Sequence, residues 1–369
     1  GSATEGTDYT DGSGNVDDIT ISAGSTTGTV NFTPTNDSVY ENDETATIAI
    51  TGVSGGGASE SGSQSVTITI SEDESAPTVT LSVSATSIAE NAGSSLTLTA
   101  TLSGAADEAV TVALSTSGTS TEGTDYTDGS GNIDDITISA GSTTGTVNFT
   151  PTDDSVYEGN ETAIIAISSV SGADASESGS QSVTITITEN ESAPTITLAR
   201  SAASIDENSG STITLTATIS GVTDSAVTVA LDTSGTATEG TDYGTISDIT
   251  ISAGATTGTA TLDPTDDNIY EGDETATIDI GSVSGKSGVT ESGTQQVSVT
   301  IAENESAPTV TLATSATSIA ENAGTSLTLT ATLSVATTAD VTVALSTSGT
   351  ATEGTDYTDG SSNVDDIVI

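Results

Sequence analysis

Almost every residue able to do chemistry in this sequence is a carboxylate. The stretch TDDSVYEGNET (152–162) places Asp153, Asp154, Glu158 and Glu161 within nine positions. The chain carries 53 acidic residues against two basic ones, Arg200 and Lys286, so salt bridges cannot neutralise such a cluster. It has no His and no Cys. The usual general base, thiolate metal ligands and disulfides are therefore all excluded. What remains is oxygen chemistry, and oxygen-only donor sets select hard divalent cations. Carboxylates drawn from several flexible loops favour Ca²⁺ over Mg²⁺, because Ca²⁺ tolerates about six to eight oxygens without octahedral geometry. Paired carboxylates also occur in glycosidases. Here no Trp and only two Phe are available to stack a sugar, and no insertion would build a cleft. The sequence is therefore not expected to be an enzyme.

The elements that must position these acids repeat along the chain. TEGTDY recurs with its Asp at Asp8, Asp125, Asp242 and Asp356, spaced 117, 117 and 114 residues apart. SAPT begins at Ser75, Ser192 and Ser306. The predicted organisation is two complete repeats, 75–191 and 192–305. They are flanked by the C-terminal part of a repeat (1–74) and the N-terminal part of another (306–369). Such a window is expected from a longer array; alone, the partial repeats would expose open cores unless neighbouring chains completed them.

Within 75–191, apolar and polar residues alternate at 78–83, 95–102, 109–115, 135–138, 144–150, 161–168 and 181–187. Runs of Thr, Val and Ile with period two, broken by Gly, Ser and Asp, predict strands. Seven strands in a repeat of this length, without helical periodicity, predict an all-β Greek-key sandwich. Alternate connections of such a sandwich share one end. Glu90 lies between the first and second strands and Asp125 follows the third. Asp153, Asp154, Glu158 and Glu161 lie between the fifth and sixth, and Glu189, Asn190 and Glu191 follow the seventh. All of them are predicted to meet at one pole. Like charges a few ångströms apart repel by roughly 4 kcal/mol per pair at an effective dielectric near 20. The pole therefore needs counter-ions, and two or more Ca²⁺ are expected per complete repeat.

The second complete repeat offers Glu207, Asp242, Asp266, Asp267, Glu271, Glu274, Glu303, Asn304 and Glu305, with Asp206 as an extra oxygen. Residues 1–74 supply Asp8, Asn36, Asp37, Glu41, Glu44, Glu72, Asp73 and Glu74. Asn36 stands where the other repeats have an Asp, so a weaker site is expected there. Residues 306–369 hold only Glu321 and Asp356 of the set.

The combination of IAENAG, GTDY, DDSVYEGNET and a terminal acidic triplet, ENE or EDE, resembles the Calx-β domain over essentially the whole chain. That resemblance implies tandem Ig-like seven-stranded sandwiches stacked end to end. It also implies a ligand role for Glu90, Asp125, Asp153, Asp154, Glu158, Glu161, Glu189 and Glu191, the set reached above. Calcium-tight members have several Asp in the terminal triplet, so Glu189-Asn190-Glu191 implies lower affinity.

Other motifs are weaker. DGSGNVDD (11–18), DGSGNIDD (128–135) and DGSSNVDD (359–366) resemble half an EF-hand loop and are candidate auxiliary ion sites. Tyr40, Tyr157 and Tyr270 are expected to plug the space under the acidic loop, and Glu60, Glu177 and Glu291 could reach the ions of a preceding repeat. The sequons at Asn31, Asn36, Asn148, Asn160, Asn190 and Asn304 follow from abundant Ser and Thr.

A net charge of −51 repels nucleic acid and anionic membrane surfaces. No run of 18 apolar residues exists, so no helical membrane insertion is expected. The expected role is a calcium-binding rigid extender in an extracellular bacterial adhesin or surface filament, its partners being calcium ions and neighbouring repeats. Alternatives from other classes are a glycan- or protein-binding module, a calcium sensor, or a filament subunit that associates laterally through uncharged Thr/Ser sheet edges.

Overall fold

The computed structural model describes residues 1–360 and 364–369. Every regular element among them is a β-strand. The chain forms two compact units: residues 1–154 with 159–190, and residues 155–158 with 191–369.

In the first unit, the strand Leu96–Leu102 shows how the sequence makes the fold. Leu96, Leu98, Ala100 and Leu102 are buried, whereas Thr97, Thr99 and Thr101 point the other way. Successive side chains of a pleated strand leave on opposite faces, so alternation of Leu and Thr specifies one dry face. This strand pairs antiparallel with Thr78–Val83 and Thr144–Pro151. A second sheet runs in the order Ile136–Ile138, Val110–Gly118, Glu161–Ser171, Ser182–Thr188, Ser87–Ala89. Between the sheets lie Val79, Leu98, Val112, Ile136, Ile138, Ile165 and Ile185, all fully buried, with Tyr126 stacked on Phe149 at 4.6 Å.

The second unit repeats the plan. Thr257–Leu262, Ile213–Ile219 and Thr195–Arg200 form one sheet, edged by Thr290–Glu291. Ser204–Asp206, Gln296–Ala302, Glu274–Ser284, Val227–Gly235 and Ile249–Ile251 form the other. Leu262 takes the place of Phe149 in this core, beside Tyr243. Both repeats are thus two-sheet β-sandwiches built on the alternating strands, with short additional strands at the sheet edges.

Two features were not legible in the alternation. After Val83 and Arg200 the chain crosses between sheets, and Ser87–Ala89 and Ser204–Asp206 pair parallel with the last strand of their repeat. Each is only three residues long, anchored by Ile88 or Ile205. The third strand carries a bulge, between Ala113 and Leu114 in one repeat and between Ala230 and Leu231 in the other. A bulge leaves a backbone N–H without a ladder partner. Asp135 accepts the Leu114 N–H at 3.0 Å and Asp248 the Leu231 N–H at 3.3 Å.

The partial repeats keep the pairing their residues allow: Tyr9–Thr10 with Thr33–Pro34, Glu44–Ala49 with Ser65–Ile70, and Val310–Thr314 with Leu329–Leu333. Several apolar side chains of these segments are exposed. Ile19 and Ile21 are 56% and 57% exposed, whereas Ile136 and Ile138, one period later, are at 0%.

Candidate metal centre

The crossing strands deliver the first carboxylates. Ser87–Ala89 ends immediately before Glu90, and Ser204–Asp206 immediately before Glu207. Pairing with the last strand brings each Glu beside the terminal acids. In the second unit, Glu207, Asp242, Glu271, Glu274 and Glu303 line one cavity. Oxygens of Glu207, Glu303 and Glu305 lie within 4.8 Å of one another.

Hydrogen bonds from amides hold this arrangement. Glu207 Oε1 accepts the Asp267 N–H at 3.2 Å. Glu303 is the hub: Oε2 accepts from Glu271 N (2.6 Å) and Gly272 N (2.8 Å), and Oε1 from Glu305 N (2.8 Å). Asn304 Nδ2 donates to Asp266 Oδ1 at 2.8 Å. The cavity and these contacts bring together Glu207, Asp242, Asp266, Asp267, Glu271, Glu274, Glu303, Asn304 and Glu305. Asp273, which sequence reasoning passed over, accepts the Glu303 N–H at 3.1 Å and so seats the hub. Its counterparts Asp43 and Asn160 do the same for Glu72 (2.9 Å) and Glu189 (3.0 Å).

The electrostatics split the set. Burial would raise Glu303, but its three N–H donors outweigh that and hold its carboxyl down to about 2. Burial and then the neighbouring Asp242 push Glu274 up to about 7. Burial, a hydrogen bond with Glu303 and that residue's charge push Glu305 up to about 7. Glu207 and Glu271 are raised too, by burial and then by surrounding carboxylates. Glu305 Oε2 is buried without a hydrogen-bond partner. A buried carboxylate oxygen with no donor is costly unless something positive faces it.

The first unit repeats the pattern. Glu90 is 6% exposed, accepts the Asp154 N–H at 3.2 Å, and is raised by burial and by Glu189, Asp154 and Asp153 despite that donor. Glu189 Oε2 accepts Gly159 N at 2.7 Å, and Asn190 Nδ2 donates to Asp153 Oδ1 at 3.2 Å. Asp125 is buried, and its Oδ2 accepts Thr121 N at 2.5 Å. Glu158 and Glu191 are carried by segments of the second unit. In 1–74, oxygens of Asp8, Glu41 and Glu44 lie within 4.8 Å of one another, as do those of Glu72, Asp73 and Glu74. Asn36 and Asp37 line the same cavity. Glu41 is pushed to about 7 chiefly by burial, and Glu74 to about 7 chiefly by its hydrogen bond with Glu72. Glu321 and Asp356 are exposed.

The acidic loop turns at Gly159 (φ 73°) and Gly272 (φ 82°), and at Asn42 (φ 65°) in the first repeat. Asn is the residue that best substitutes for Gly in this left-handed region.

Several secondary candidates have other occupations. In TEGTDY the Glu is engaged within its own loop, as is the Asp, which accepts the N–H four residues before it. Glu122 accepts Ile133 N at 2.6 Å and Thr116 Oγ1 at 2.9 Å; Glu239 accepts Ile246 N and Thr233 Oγ1, both at 2.8 Å. Glu60, Glu177 and Glu291 accept the N–H of Gln64, Gln181 and Gln295, four residues on, which ties them to their own turns. In the DGSG segments, Asp11 Oδ1 and Asp128 Oδ1 each accept two backbone N–H groups and a Ser hydroxyl, satisfying the carboxylate locally. The middle of DGSSNVDD, residues 361–363, lies outside the described residues. The Tyr40 and Tyr157 rings pack against the core of the following repeat, and the Tyr40 hydroxyl also bonds Asn42 Oδ1 in its own loop at 2.8 Å.

The Calx-beta domain family model matches four times, over residues 1–74, 72–191, 189–305 and 303–365. The chain belongs to the Calx-beta domain family. It is a tandem array of Calx-beta repeats, and the all-β sandwiches described above are their fold. No curated protein matches the chain. Among solved structures, it is similar to CBD12 from CALX1.2, at 16% identity over 61% of this chain and 100% of that one, with a TM-score of 0.26. The apo-form Calx CBD1 domain shows 22% identity over 30% of this chain and 98% of that one (TM-score 0.25). The Yersinia pseudotuberculosis adhesin InvE shows 14% identity over 60% and 58% (TM-score 0.29). The family match alone carries the assignment.

Proposed function

We propose that this Calx-beta array is a calcium-binding structural extender of an extracellular bacterial adhesin or surface filament. Each complete repeat would hold two or more Ca²⁺ at its acidic pole. One observation carries the reading: Glu305 Oε2 is buried without a donor, beside Glu207 and Glu303, in a pole whose neutralisation the chain's two basic residues cannot supply. The donor set fits a hard divalent cation, being oxygen throughout and drawn from four separate segments. In the second complete repeat the ligands would be Glu207, Asp242, Asp266, Asp267, Glu271, Glu274, Glu303, Asn304 and Glu305. Their sequence counterparts would serve in 75–191. In 1–74, Asn36 would make a weaker site.

Bound Ca²⁺ supplies positive charge where like charges otherwise repel. The chain's own residues do the rest: amide donors fix Glu303, Asp273 seats it, and the crossing strand presents Glu207. Because the terminal acids Glu189, Asn190 and Glu191 run directly into the next SAPT segment, ion binding would stabilise the fold and the start of the following repeat together. Near-identical repeats favour length over sensing, and millimolar calcium outside a cell suits sites of modest affinity.

The test is to count ions by titration calorimetry in calcium-stripped buffer, with melting and small-angle scattering in calcium and in chelator. The expected result is at least two ions per complete repeat, with chelator lowering Tm and broadening the scattering-derived size distribution. Absence of binding heat together with superimposable melting and scattering curves would overturn the reading.

A further inference from the structure

Each acidic loop also contains an aliphatic–tyrosine pair whose partner lies in the following repeat. Val39–Tyr40 pairs parallel with Ala105–Ala106, within the first unit. Ile269–Tyr270 pairs in the same register with Ala336–Thr337, within the second. Val156–Tyr157, on the 155–158 segment belonging to the second unit, pairs with Val222–Thr223. The register is the same each time, and the acceptor is always the short segment after the second sandwich strand.

The surroundings of the Tyr40 and Tyr157 rings differ, but both are shaped to the ring. Tyr40 packs against the core that contains Val79 and Ile185, and its carbonyl accepts the Asp107 N–H at 3.1 Å. Its hydroxyl lies 2.8 Å from Asn42 Oδ1 and 3.2 Å from Asp174 Oδ2. Asp174 and its neighbour Ala173 both hold left-handed backbone, at φ 48° and 51°, although neither is Gly. Consecutive non-glycine residues in that region persist only where their surroundings impose it. In the second unit the hydroxyl of Tyr157 lies where a Cβ on Gly288 would fall, so only Gly leaves room for it. Lys286, one of the chain's two basic residues, donates to the Glu158 carbonyl and pairs with Asp224 Oδ1 at 2.6 Å, closing over the same segment.

We propose that this finger and socket form a repeat-to-repeat joint within each unit. The aliphatic–Tyr pair of one acidic loop is the finger. The short segment after the second strand and the hairpin loop before the last strand of the next repeat are the socket. The joint is made of backbone pairing and ring packing, so none of its contacts requires a cation.

The experiment compares the full chain with its Tyr40→Ser and Tyr40→Phe variants by amide hydrogen exchange, in calcium and in chelator. Tyr40→Ser is expected to speed exchange at Asp107 and at 173–175 by about tenfold or more, leaving strand Leu96–Leu102 protected, as local opening requires. Tyr40→Phe keeps ring and backbone and is expected to retain most of that protection. The contrast should be the same in both buffers. Unchanged exchange at Asp107 in Tyr40→Ser would overturn the joint, as would acceleration spread equally through Leu96–Leu102, or loss of the contrast in chelator. Should Tyr40→Ser fail to fold, Tyr157→Ser read at 222–224 and 286–289 decides on the same terms. Because ion binding is measured separately by calorimetry, failure of the joint and failure of the calcium reading remain distinguishable.

Discussion

At the scale of single residues, the acidic pole is a device under electrostatic load. In the metal-free chain, Glu274 and Glu305 have folded-state values near 7, above an unfolded carboxylate near 4.5. Between those values the folded state binds more protons than the unfolded one, so stability falls as pH rises. Melting in chelator is therefore expected to show Tm rising as pH drops from 8 to 5. Saturating calcium should flatten or reverse that trend, because the ion requires the deprotonated form. Glu303 works in the opposite sense: its folded value near 2 contributes stability that is lost only as pH falls from about 4.5 through 2. Glu274→Gln gives a test with two signs. At pH 8 in chelator it removes a like charge and should raise Tm by a few degrees; in calcium it removes a ligand and should lower both Tm and the number of ions bound.

At the scale of elements, part of the recurring acidity is engaged within its own loops. Glu122 clamps Ile133 N and Thr116 Oγ1 across its loop, and Glu239 clamps Ile246 N and Thr233 Oγ1. Glu122→Ala should cost about 1–3 kcal/mol in denaturant unfolding, as expected when partly buried donors lose a charged acceptor, and by the same amount in calcium and in chelator. Glu90→Gln should instead change mainly the calcium dependence. Leu98→Ala, at the centre of a strand and fully buried, should cost roughly 2–5 kcal/mol irrespective of calcium. The seven main strands were visible in sequence because Leu/Thr and Val/Thr alternation is a direct record of a pleated surface with one dry face. The crossing strand Ser87–Ala89 was not, since three residues are too few to show a period. Nor was the role of Asp135, because the need for it arises from a bulge between Ala113 and Leu114 that only strand pairing creates.

At the scale of the whole molecule, a net charge of −51 acts on everything else. Self-repulsion disfavours the compact state, and salt weakens it by shortening the Debye length to about 3 Å at 1 M. In chelator, raising NaCl from about 0.05 to 1 M should therefore raise Tm, and this gain should shrink once calcium saturates the poles. If salt leaves the metal-free Tm unchanged, the carboxylates are not under mutual load.

The repeat period, the sandwich class, the family and the acidic residue types were all determined by the sequence alone. They depend on local periodicity and on copies of one pattern along the chain, which need no knowledge of contacts. Tertiary structure decided which carboxylate does what. Glu303 becomes a hub because three amides converge on it, Glu305 is left with a buried bare oxygen, and Glu122 is drawn into its own loop. It also set the Tyr40 and Tyr157 rings against the core of the following repeat. Chemically identical side chains differ here only in which donors and neighbours folding brings to them, and no spacing along the chain encodes that.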